Sequence, residues 1–231
     1  MSDGIILNNL CVEYKTKKNS FPVICNLSLK VNKGETLAIL GPSGCGKSTL
    51  LYLLGGLDFP TSGEILLYGK NIENMNDKEK SVIRRRNIGF VFQFYNLVHN
   101  LTVKENILLP IIMDGKKPSD YKNQLDEILD IVDLKKRENF TPRELSGGQQ
   151  QRVAIARSLI AQPDVILADE PIGNLDSKSG TKIMELFKRI NRHNKITIIQ
   201  VTHSLDSSKY GKKTIYMKDG VIENIKSQDN I

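Results

Sequence analysis

The stretch GPSGCGKST, at positions 41–49, restricts the possible folds of this 231-residue chain more than any other segment. It satisfies the pattern G-x-x-x-x-G-K-[ST], which forms a phosphate-binding loop when a strand precedes it and a helix follows it. Here the apolar run ETLAIL comes directly before it, and the helical pattern STLLYLL begins at its end. Glycines let backbone N–H groups point at phosphate oxygens, and the N-terminus of a helix adds a positive partial charge. The sequence therefore predicts that Lys47 reaches the β- and γ-phosphates of a nucleotide and that Ser48 offers its hydroxyl to Mg²⁺. The predicted nucleotide contacts in this loop are Gly41, Pro42, Ser43, Gly44, Cys45, Gly46, Lys47, Ser48 and Thr49.

The rest of the chain alternates strand-like with helix-like segments. Continuous Val/Ile/Leu runs such as VILAD and ITIIQV are typical of strands buried on both faces of a sheet. Apolar residues recur at helical spacing in YKNQLDEILDIV and in TKIMELFKRI. This alternation predicts an α/β fold with a mostly parallel sheet. We expect one domain over residues 1–231, with a mostly helical subdomain inserted at about 94–160.

Polar residues at the ends of predicted strands are candidates for catalysis. VILADE ends in two carboxylates, and neighbouring side chains on a strand point to opposite faces. We therefore expect Asp169 to hold Mg²⁺ and Glu170 to polarise the attacking water. His203 follows the strand ITIIQV, and Gln93 is expected to close the strand IGFVFQ. Acids in a turn and a structural histidine are the alternatives, but the phosphate-binding loop favours the catalytic interpretation.

Composition excludes several classes of protein. The longest apolar run near the middle, ILLPIIM at 107–113, is far shorter than the roughly 20 residues that span a bilayer. The start, MSDGIILNN, lacks the basic region of a signal peptide, so we expect a cytoplasmic protein. Cys11, Cys25 and Cys45 form no pair typical of a zinc site or a disulfide framework, and buried thiols suit Cys11 and Cys25 best.

The net charge of +7 is compatible with nucleic acid, with an anionic membrane surface, or with neither. The basic runs RRR (84–86) and KKR (135–137) lack interleaved aromatic residues. We interpret them first as solvated faces and second as a contact surface, and we expect no nucleic-acid partner.

A second anion-binding loop is predicted in LSGGQQQR, at 145–152. A serine and two glycines open a predicted helix there, so backbone N–H groups and the helix dipole again favour an anion. Two phosphate-binding loops in one small chain need an explanation.

The motifs together resemble, in order, those of the ATP-binding subunits of ABC transporters. GPSGCGKST resembles the Walker A loop, LSGGQ (145–149) the signature, VILADE the Walker B strand and GNLDS (173–177) the D-loop. The resemblance implies a P-loop NTPase (RecA-like) core with a mostly parallel sheet, an antiparallel β subdomain and an inserted α-helical subdomain. It implies an ATPase with ATP and Mg²⁺ as cofactors. The implied catalytic residues are Glu170, His203, Gln93 and Lys47, and the implied metal ligands are Ser48, Gln93 and Asp169. The further implied nucleotide contacts are Tyr14, which would stack on adenine, together with Ser146, Gly147, Gly148, Gln149 and Asp176.

The resemblance also explains the two loops. In this family two copies pair head to tail, and ATP lies between the Walker A loop of one and the signature loop of the other. The implied partners are therefore a second copy of the chain and an integral membrane permease on a separate chain. The implied location is the inner face of the cell membrane.

Within the family, PTSGEILLYGKNI and ADEPIGNLDS resemble the macrolide-exporter and lipoprotein-releasing (MacB/LolD) branch, which includes bacitracin- and lantibiotic-resistance pumps. Ile172 departs from this branch, which usually has Thr there. Gln93 and Ser146 are too close in sequence for the long coiled coil of DNA-repair relatives. A cell-division (FtsE-like) ATPase, a lipoprotein-releasing ATPase and a free-standing ATPase acting on nucleic acid remain alternatives. The segment that follows Gln93 is expected to contact the permease through Phe94, Tyr95 and Leu97, although core packing is an equal alternative for each.

Overall fold

The computed structural model of the chain describes residues 4–16 and 19–227, and in this part of the chain the strands form two sheets. The strands are β1 (Ile5–Lys15), β2 (Ser20–Val31), β3 (Thr36–Leu40), β4 (Ser62–Leu67), β5 (Lys70–Asn71), β6 (Ile88–Val91), β7 (Val165–Asp169), β8 (Thr197–Val201), β9 (Lys213–Lys218) and β10 (Val221–Ser227). The α-helices are α1 (Lys47–Leu54), α2 (Asp77–Arg86), α3 (Val103–Met113), α4 (Lys122–Ile131), α5 (Gly147–Leu159), α6 (Ser177–Asn194) and α7 (Leu205–Ser208). Short 3-10 turns occupy Pro118–Tyr121, Lys135–Arg137 and Pro142–Glu144.

The central sheet has the strand order β10-β9-β3-β8-β7-β6. Its neighbours from β9 to β6 are parallel, and β10 joins β9 antiparallel. The predicted mostly parallel sheet is confirmed. Because parallel strands end at the same edge, the residues that follow β3, β7 and β8 lie together at the carboxyl edge of the sheet. The phosphate-binding loop, Glu170 and His203 are these residues.

A second, antiparallel sheet has the order β2-β1-β4-β5. Four apolar residues of β1, Ile5, Leu7, Leu10 and Val12, are buried, and the strand has a register shift between Leu7 and Leu10. These side chains share one apolar cluster with α1, the helix that follows the phosphate-binding loop. The antiparallel sheet therefore packs on α1, the helix that holds the phosphate-binding loop in place.

Helices α3, α4 and α5 occupy the stretch predicted to be mostly helical. Their buried faces, for example Ile107, Leu129 and Val153, form one cluster that reaches Ile166 and Ile198 of the central sheet. A capping box at Thr102 begins α3 and another at Ser146 begins α5. The division into domain and subdomain at about 94–160 stays a prediction.

The basic run at 84–86 ends α2, a helix the sequence analysis did not identify. Its mostly polar composition leaves little apolar periodicity from which to predict a helix. The N-cap Asn76 and Glu79 form a capping box, however, and this pattern could have predicted the start of the helix. The interpretation of RRR as a solvated face was wrong in part. Arg86 binds Asp114 at 2.8 Å, and Arg84 donates to the carbonyl of Gly56 at 2.8 Å, because both reach neighbouring elements from the last turn.

Candidate active site

The phosphate-binding loop curls around the ammonium group of Lys47. Its Nζ donates to the carbonyls of Gly41 and Pro42 at 2.9 and 2.7 Å, and the side chain is buried. Gly46, the N-cap of α1, has φ 97°, and a Cβ there would lie 2.8 Å from the carbonyl oxygen of Val23. A Cβ on Gly41 would lie 2.2 Å from the carbonyl oxygen of Met217. Gly41 and Gly46 are therefore required by close backbone approach, and Gly46 also by its positive φ.

The exposed tip of the loop consists of Pro42, Ser43 and Gly44, whereas Cys45 is buried. The expectation that Cys11 and Cys25 are the buried thiols was wrong, since both are partly exposed on the antiparallel sheet. Cys45 is buried because the loop folds back over it, and its Sγ lies 3.9 Å from Lys47 Nζ.

The Asp169 carboxylate at the end of β7 meets the beginning of α1. Its Oδ1 accepts from Ser48 Oγ at 3.2 Å, and its Oδ2 accepts from Tyr52 at 3.2 Å. Burial raises the pKa of Asp169, while the hydrogen bonds from Tyr52 and Ser48 act in the opposite direction. A hydroxyl and a carboxylate oxygen side by side fit Mg²⁺, which keeps several waters and takes few protein ligands. Residues 4–16 and 19–227 contain no cluster of three or more His, Cys, Asp or Glu side chains with metal-binding geometry.

Glu170 and His203 come together from the ends of two neighbouring strands. His203 Nδ1 lies 2.9 Å from Glu170 Oε1. The backbone of Glu170 has φ 46°, a conformation that costs free energy for a residue with a Cβ, and its N–H donates to Val201 at 3.0 Å. The second carboxylate oxygen, Oε2, is buried without a hydrogen-bond partner in the described part of the chain. Such an oxygen is costly unless it accepts a proton donor, so it fits a water or hydroxyl of a ligand.

Gln93 lies two residues beyond the end of β6, so the prediction that it closes the strand was wrong. The ladder stops at Val91, which pairs with Ala168. Gln93 and Asn174 bond reciprocally: Asn174 Nδ2 donates to the Gln93 carbonyl at 3.0 Å, and Gln93 Nε2 lies 3.4 Å from Asn174 Oδ1. Of the three predicted metal ligands, Ser48 and Asp169 are therefore in contact, whereas the side chain of Gln93 is held at the D-loop.

Tyr14, on β1, is 45% exposed beside α1. Its hydroxyl donates to Asp58, and that hydrogen bond, more than burial, raises the pKa of Tyr14. The neighbouring Thr49 side chain acts in the opposite direction on the pKa of Tyr14. Asp58 in turn accepts from the Phe59 N–H at 2.8 Å. Neither Asp58 nor Asn174 was predicted from the sequence, although Asn174 lies within the D-loop motif GNLDS.

The signature loop begins α5 at a separate place. The Ser146 side chain is exposed and accepts from Gln149 N at 3.4 Å, and Gln149 Oε1 accepts from Ser146 N at 2.8 Å. Gly147 and Gly148 lie against Tyr95 and Ser179, since a Cβ on them would be 2.9 and 3.3 Å from those side chains.

The D-loop residue Asp176 caps α6 by accepting from Ser179 N at 3.0 Å, and hydrogen bonds from the Ser179 side chain and then from its N–H lower the pKa of Asp176. Among residues 4–16 and 19–227, no hydrogen bond joins 41–49 to 145–149. The fold thus brings together the Walker A loop, the Walker B acids and His203, but it keeps the signature loop apart from them.

The profile of the ABC transporter family matches residues 24–173, more than half of the chain. The chain belongs to the ABC transporter family. An uncharacterized ABC transporter ATP-binding protein of Methanocaldococcus jannaschii, MJ1508, is 47% identical over 200 residues, which are 87% of this chain and 89% of the relative. An uncharacterized ABC transporter ATP-binding protein of Thermotoga maritima is 48% identical over 199 residues, 86% of this chain and 85% of the relative.

Solved ABC cassettes superpose closely on this chain. The dimeric cassette MJ0796 in a post-hydrolysis state bound to ADP and Pi has a TM-score of 0.88 and 40% identity, covering 98% of this chain and 100% of that one. The cbiO1 protein of Clostridium perfringens, part of the cbiONQ transporter complex, has a TM-score of 0.89 and 27% identity, covering 98% and 89%. This ABC cassette is therefore an ATPase of the P-loop NTPase fold, and ATP with Mg²⁺ is what such cassettes bind. None of its helices between residues 4 and 227, outside 17–18, has the length and apolarity to cross a membrane.

Proposed function

We propose that this chain is the motor subunit of a MacB/LolD-type transporter, which hydrolyses ATP as a head-to-tail homodimer beneath a separate membrane permease. The observation that carries hydrolysis is the Glu170–His203 pair, 2.9 Å apart, at the edge where the Walker A loop lies. Family membership supports the permease partner and the location that we propose, at the inner face of the cell membrane.

The roles of the side chains follow from their contacts. Lys47, buried under the loop, supplies positive charge to the phosphates. When Mg²⁺ is bound, Ser48 and Asp169 would hold it, and it would neutralise charge on the phosphates. Glu170 accepts the proton of the attacking water at Oε2, since His203 occupies Oε1. Gln93, tied to Asn174, positions the water at the side of the D-loop.

The separation of the two anion-binding loops supports the dimer. Ser146 is exposed, and among the described residues the N–H groups of Gly147 and Gly148 at the start of α5 make no hydrogen bond, whereas that of Gln149 bonds the Ser146 cap. An anion brought by a second copy would satisfy these groups. The homologous cassette MJ0796 forms a dimer.

A complementation experiment tests the composite site. The Lys47→Ala chain lacks a working Walker A loop, and the Ser146→Arg chain lacks a working signature. In a head-to-tail pair of the two, one site contains both defects and the other contains neither. We expect each variant alone to be inactive and a 1:1 mixture to recover about a quarter of the wild-type turnover, because about half of the pairs are mixed and each has one intact site.

Phosphate release measured before and after mixing gives the result, with light scattering to verify exchange of subunits and circular dichroism to verify folding. An inactive mixture with verified exchange contradicts the composite site. Full activity of the Ser146→Arg chain as a monomer also contradicts it.

A groove beside the Gln93 segment supports the permease contact. It has a volume of about 320 Å³, and its walls include Phe90, Phe92, Leu109 and Met113. The side chain of Arg157, missed by the sequence analysis, holds the adjoining backbone by donating to the carbonyls of residues 95 and 96 at 2.8 and 2.5 Å. The backbone that follows Gln93 is therefore held in place beside the groove.

The three predicted anchors have different positions in this region. Phe94 is 74% exposed, Tyr95 is partly buried against the signature loop, and Leu97 is buried in the core. The anchor role predicted for Leu97 was wrong, because its side chain lies in the cluster around α3 and α5. Phe94 remains the anchor we propose.

Substitution of Phe94 tests the contact. Phe94→Ala should keep the ATPase activity of the isolated subunit and lose its stimulation by the permease, since an exposed ring contributes nothing to the core. Phe59→Ala, which removes another exposed ring, is the matched control and should keep the stimulation. Equal loss in both variants, or none in Phe94→Ala, would contradict the proposal.

For the branch, we favour antimicrobial-peptide (bacitracin or lantibiotic) resistance, on the sequence resemblance alone. A cell-division ATPase and a lipoprotein-releasing ATPase are the alternatives. Deletion of the gene should sensitise the organism to bacitracin or a lantibiotic without altering division. A division defect with unchanged sensitivity would favour the first alternative.

A further inference from the structure

Tyr52, which lies after the Walker A motif, contacts the carboxylate that the proposed Mg²⁺ site uses. It follows Ser48 by one turn of α1, so both side chains emerge from the same face of the helix. Ser48 Oγ donates to Asp169 Oδ1, and the Tyr52 hydroxyl donates to Asp169 Oδ2, each at 3.2 Å. One helix therefore supplies a separate hydroxyl to each oxygen of the Asp169 carboxylate.

The direction of the hydrogen bond between Tyr52 and Asp169 follows from the chemistry of the two groups. A carboxylate that binds a metal is ionised and can only accept, so the phenol hydroxyl is the donor. Within residues 4–16 and 19–227, that hydroxyl has no hydrogen-bond partner other than Asp169. The hydroxyl of Tyr52 is therefore directed at a predicted metal ligand and not at the core.

The packing of α1 fixes the position of this hydroxyl. The leucines on both sides of Tyr52 in the helix are completely buried: Leu50, Leu51, Leu53 and Leu54. The helix also packs against β7, the strand that ends at Asp169. A donor on a rigid element holds the group that it contacts in one orientation.

A carboxylate can offer a cation one oxygen or both, and cations differ in which arrangement they accept. Ca²⁺ takes roughly six to eight oxygens in flexible geometry, and its carboxylate ligands are often bidentate. Mg²⁺ is smaller, requires near-ideal octahedral geometry and keeps several waters. Because Tyr52 engages Oδ2, only Oδ1 of Asp169, the oxygen beside Ser48, remains for a metal. This arrangement suits Mg²⁺ better than Ca²⁺.

We propose that Tyr52 is a positioning residue that favours Mg²⁺ over Ca²⁺, by holding the Asp169 carboxylate so that one oxygen is offered to the metal. The inference rests on the proposed function, in which Ser48 and Asp169 hold Mg²⁺. In this role Tyr52 contacts neither the metal nor the nucleotide. Loss of its hydroxyl should therefore weaken the part of nucleotide binding that depends on Mg²⁺ and leave the metal-free part unchanged.

The test is isothermal titration of the full chain with ADP in Mg²⁺, in Ca²⁺ and in EDTA. Tyr52→Phe removes the hydroxyl and keeps the ring. Tyr121→Phe, which removes the hydroxyl of a ring packed against the cluster of α3, α4 and α5, is the matched control. Asp169→Asn removes the charge of the proposed ligand and tests the metal site itself. Thermal unfolding verifies that each variant remains folded.

We expect Tyr52→Phe to bind ADP about tenfold more weakly than wild type in Mg²⁺, since loss of a residue that orients a metal ligand costs about 10- to 100-fold in metal affinity. Binding in Ca²⁺ should weaken less than about threefold, because the released Oδ2 becomes available to a cation that accepts both oxygens. Binding in EDTA should stay within about twofold, because the loop that binds the phosphates is unchanged. Tyr121→Phe should match wild type in all three conditions.

Two results for Tyr52→Phe would overturn the proposal: wild-type affinity for ADP in Mg²⁺, or equal weakening in Mg²⁺ and Ca²⁺. In either case, loss of the Mg²⁺ effect in Asp169→Asn would leave the metal site of the proposed function intact. If Asp169→Asn instead keeps the wild-type affinity in Mg²⁺, that metal site is itself wrong, and the role of Tyr52 falls with it.

Discussion

Substitution of Glu170 by Gln is the most direct test of the proposed chemistry. Gln has the same size as Glu and can keep the contact with His203 Nδ1, which is 2.9 Å from Glu170 Oε1. It also keeps the N–H that fixes the strained backbone of residue 170 by donating to Val201. The substitution therefore removes the ability to accept a proton and leaves the surrounding geometry in place.

The expected loss follows from the role of a general base. A positioned base contributes about 10² to 10⁴ in rate. The adjacent carboxylate, Asp169, is bonded to Ser48 and Tyr52, so it is not free to take the place of Glu170. We expect kcat to fall at least about 100-fold, which is about 2.7 kcal/mol in the barrier. The affinity for ATP should change less than about threefold, since the Walker A loop is untouched. A substitution alters that affinity only when it removes a contact that the bound substrate already makes before the transition state.

Three measurements decide the outcome: phosphate release, direct titration with ATP, and light scattering in the presence of ATP. The Gln variant should accumulate as an ATP-bound dimer, because hydrolysis no longer removes the ligand that links the two copies. Glu127→Gln, an exposed change on α4, is the control and should behave as wild type. Turnover of Glu170→Gln at the wild-type rate would refute the assignment of the base.

Three further predictions concern the nucleotide site and the fold. Lys47→Ala should weaken ATP binding at least about tenfold in a direct titration, because hydrogen bonds to charged groups contribute about 1.5–3 kcal/mol; unchanged affinity would contradict the phosphate role. Tyr14→Ala should weaken ATP about two- to tenfold through lost stacking while the affinity for tripolyphosphate, which has no base, stays constant. A parallel loss for tripolyphosphate would instead indicate that Tyr14 packs in the fold. Asn106→Ala should lower the free energy of unfolding in urea by about 2–3 kcal/mol, since buried Asn106 bonds both backbone groups of Val98, whereas exposed Asn123→Ala should not.

The sequence predicted the nucleotide-binding machinery because its parts are local. A phosphate-binding loop needs glycines, a lysine and a hydroxyl at fixed spacing between a strand and a helix, and these are read directly from residues 41–49. The parallel sheet was predictable for the same reason, since runs such as VILAD carry the composition of a strand buried on both faces. The order of the motifs along the chain sufficed to indicate the family.

Only the tertiary structure decided which distant residues meet. The strand order places β7 beside β8, so Glu170 meets His203 across 33 residues of sequence. Helix α1 packs against β7, so Asp169 meets Ser48 across 121 residues. The tertiary structure also pairs Gln93 with Asn174, buries Cys45, and divides the Gln93 segment into exposed Phe94 and buried Leu97. Such contacts depend on how strands and helices pack against each other, and local propensity and spacing carry no information about that packing.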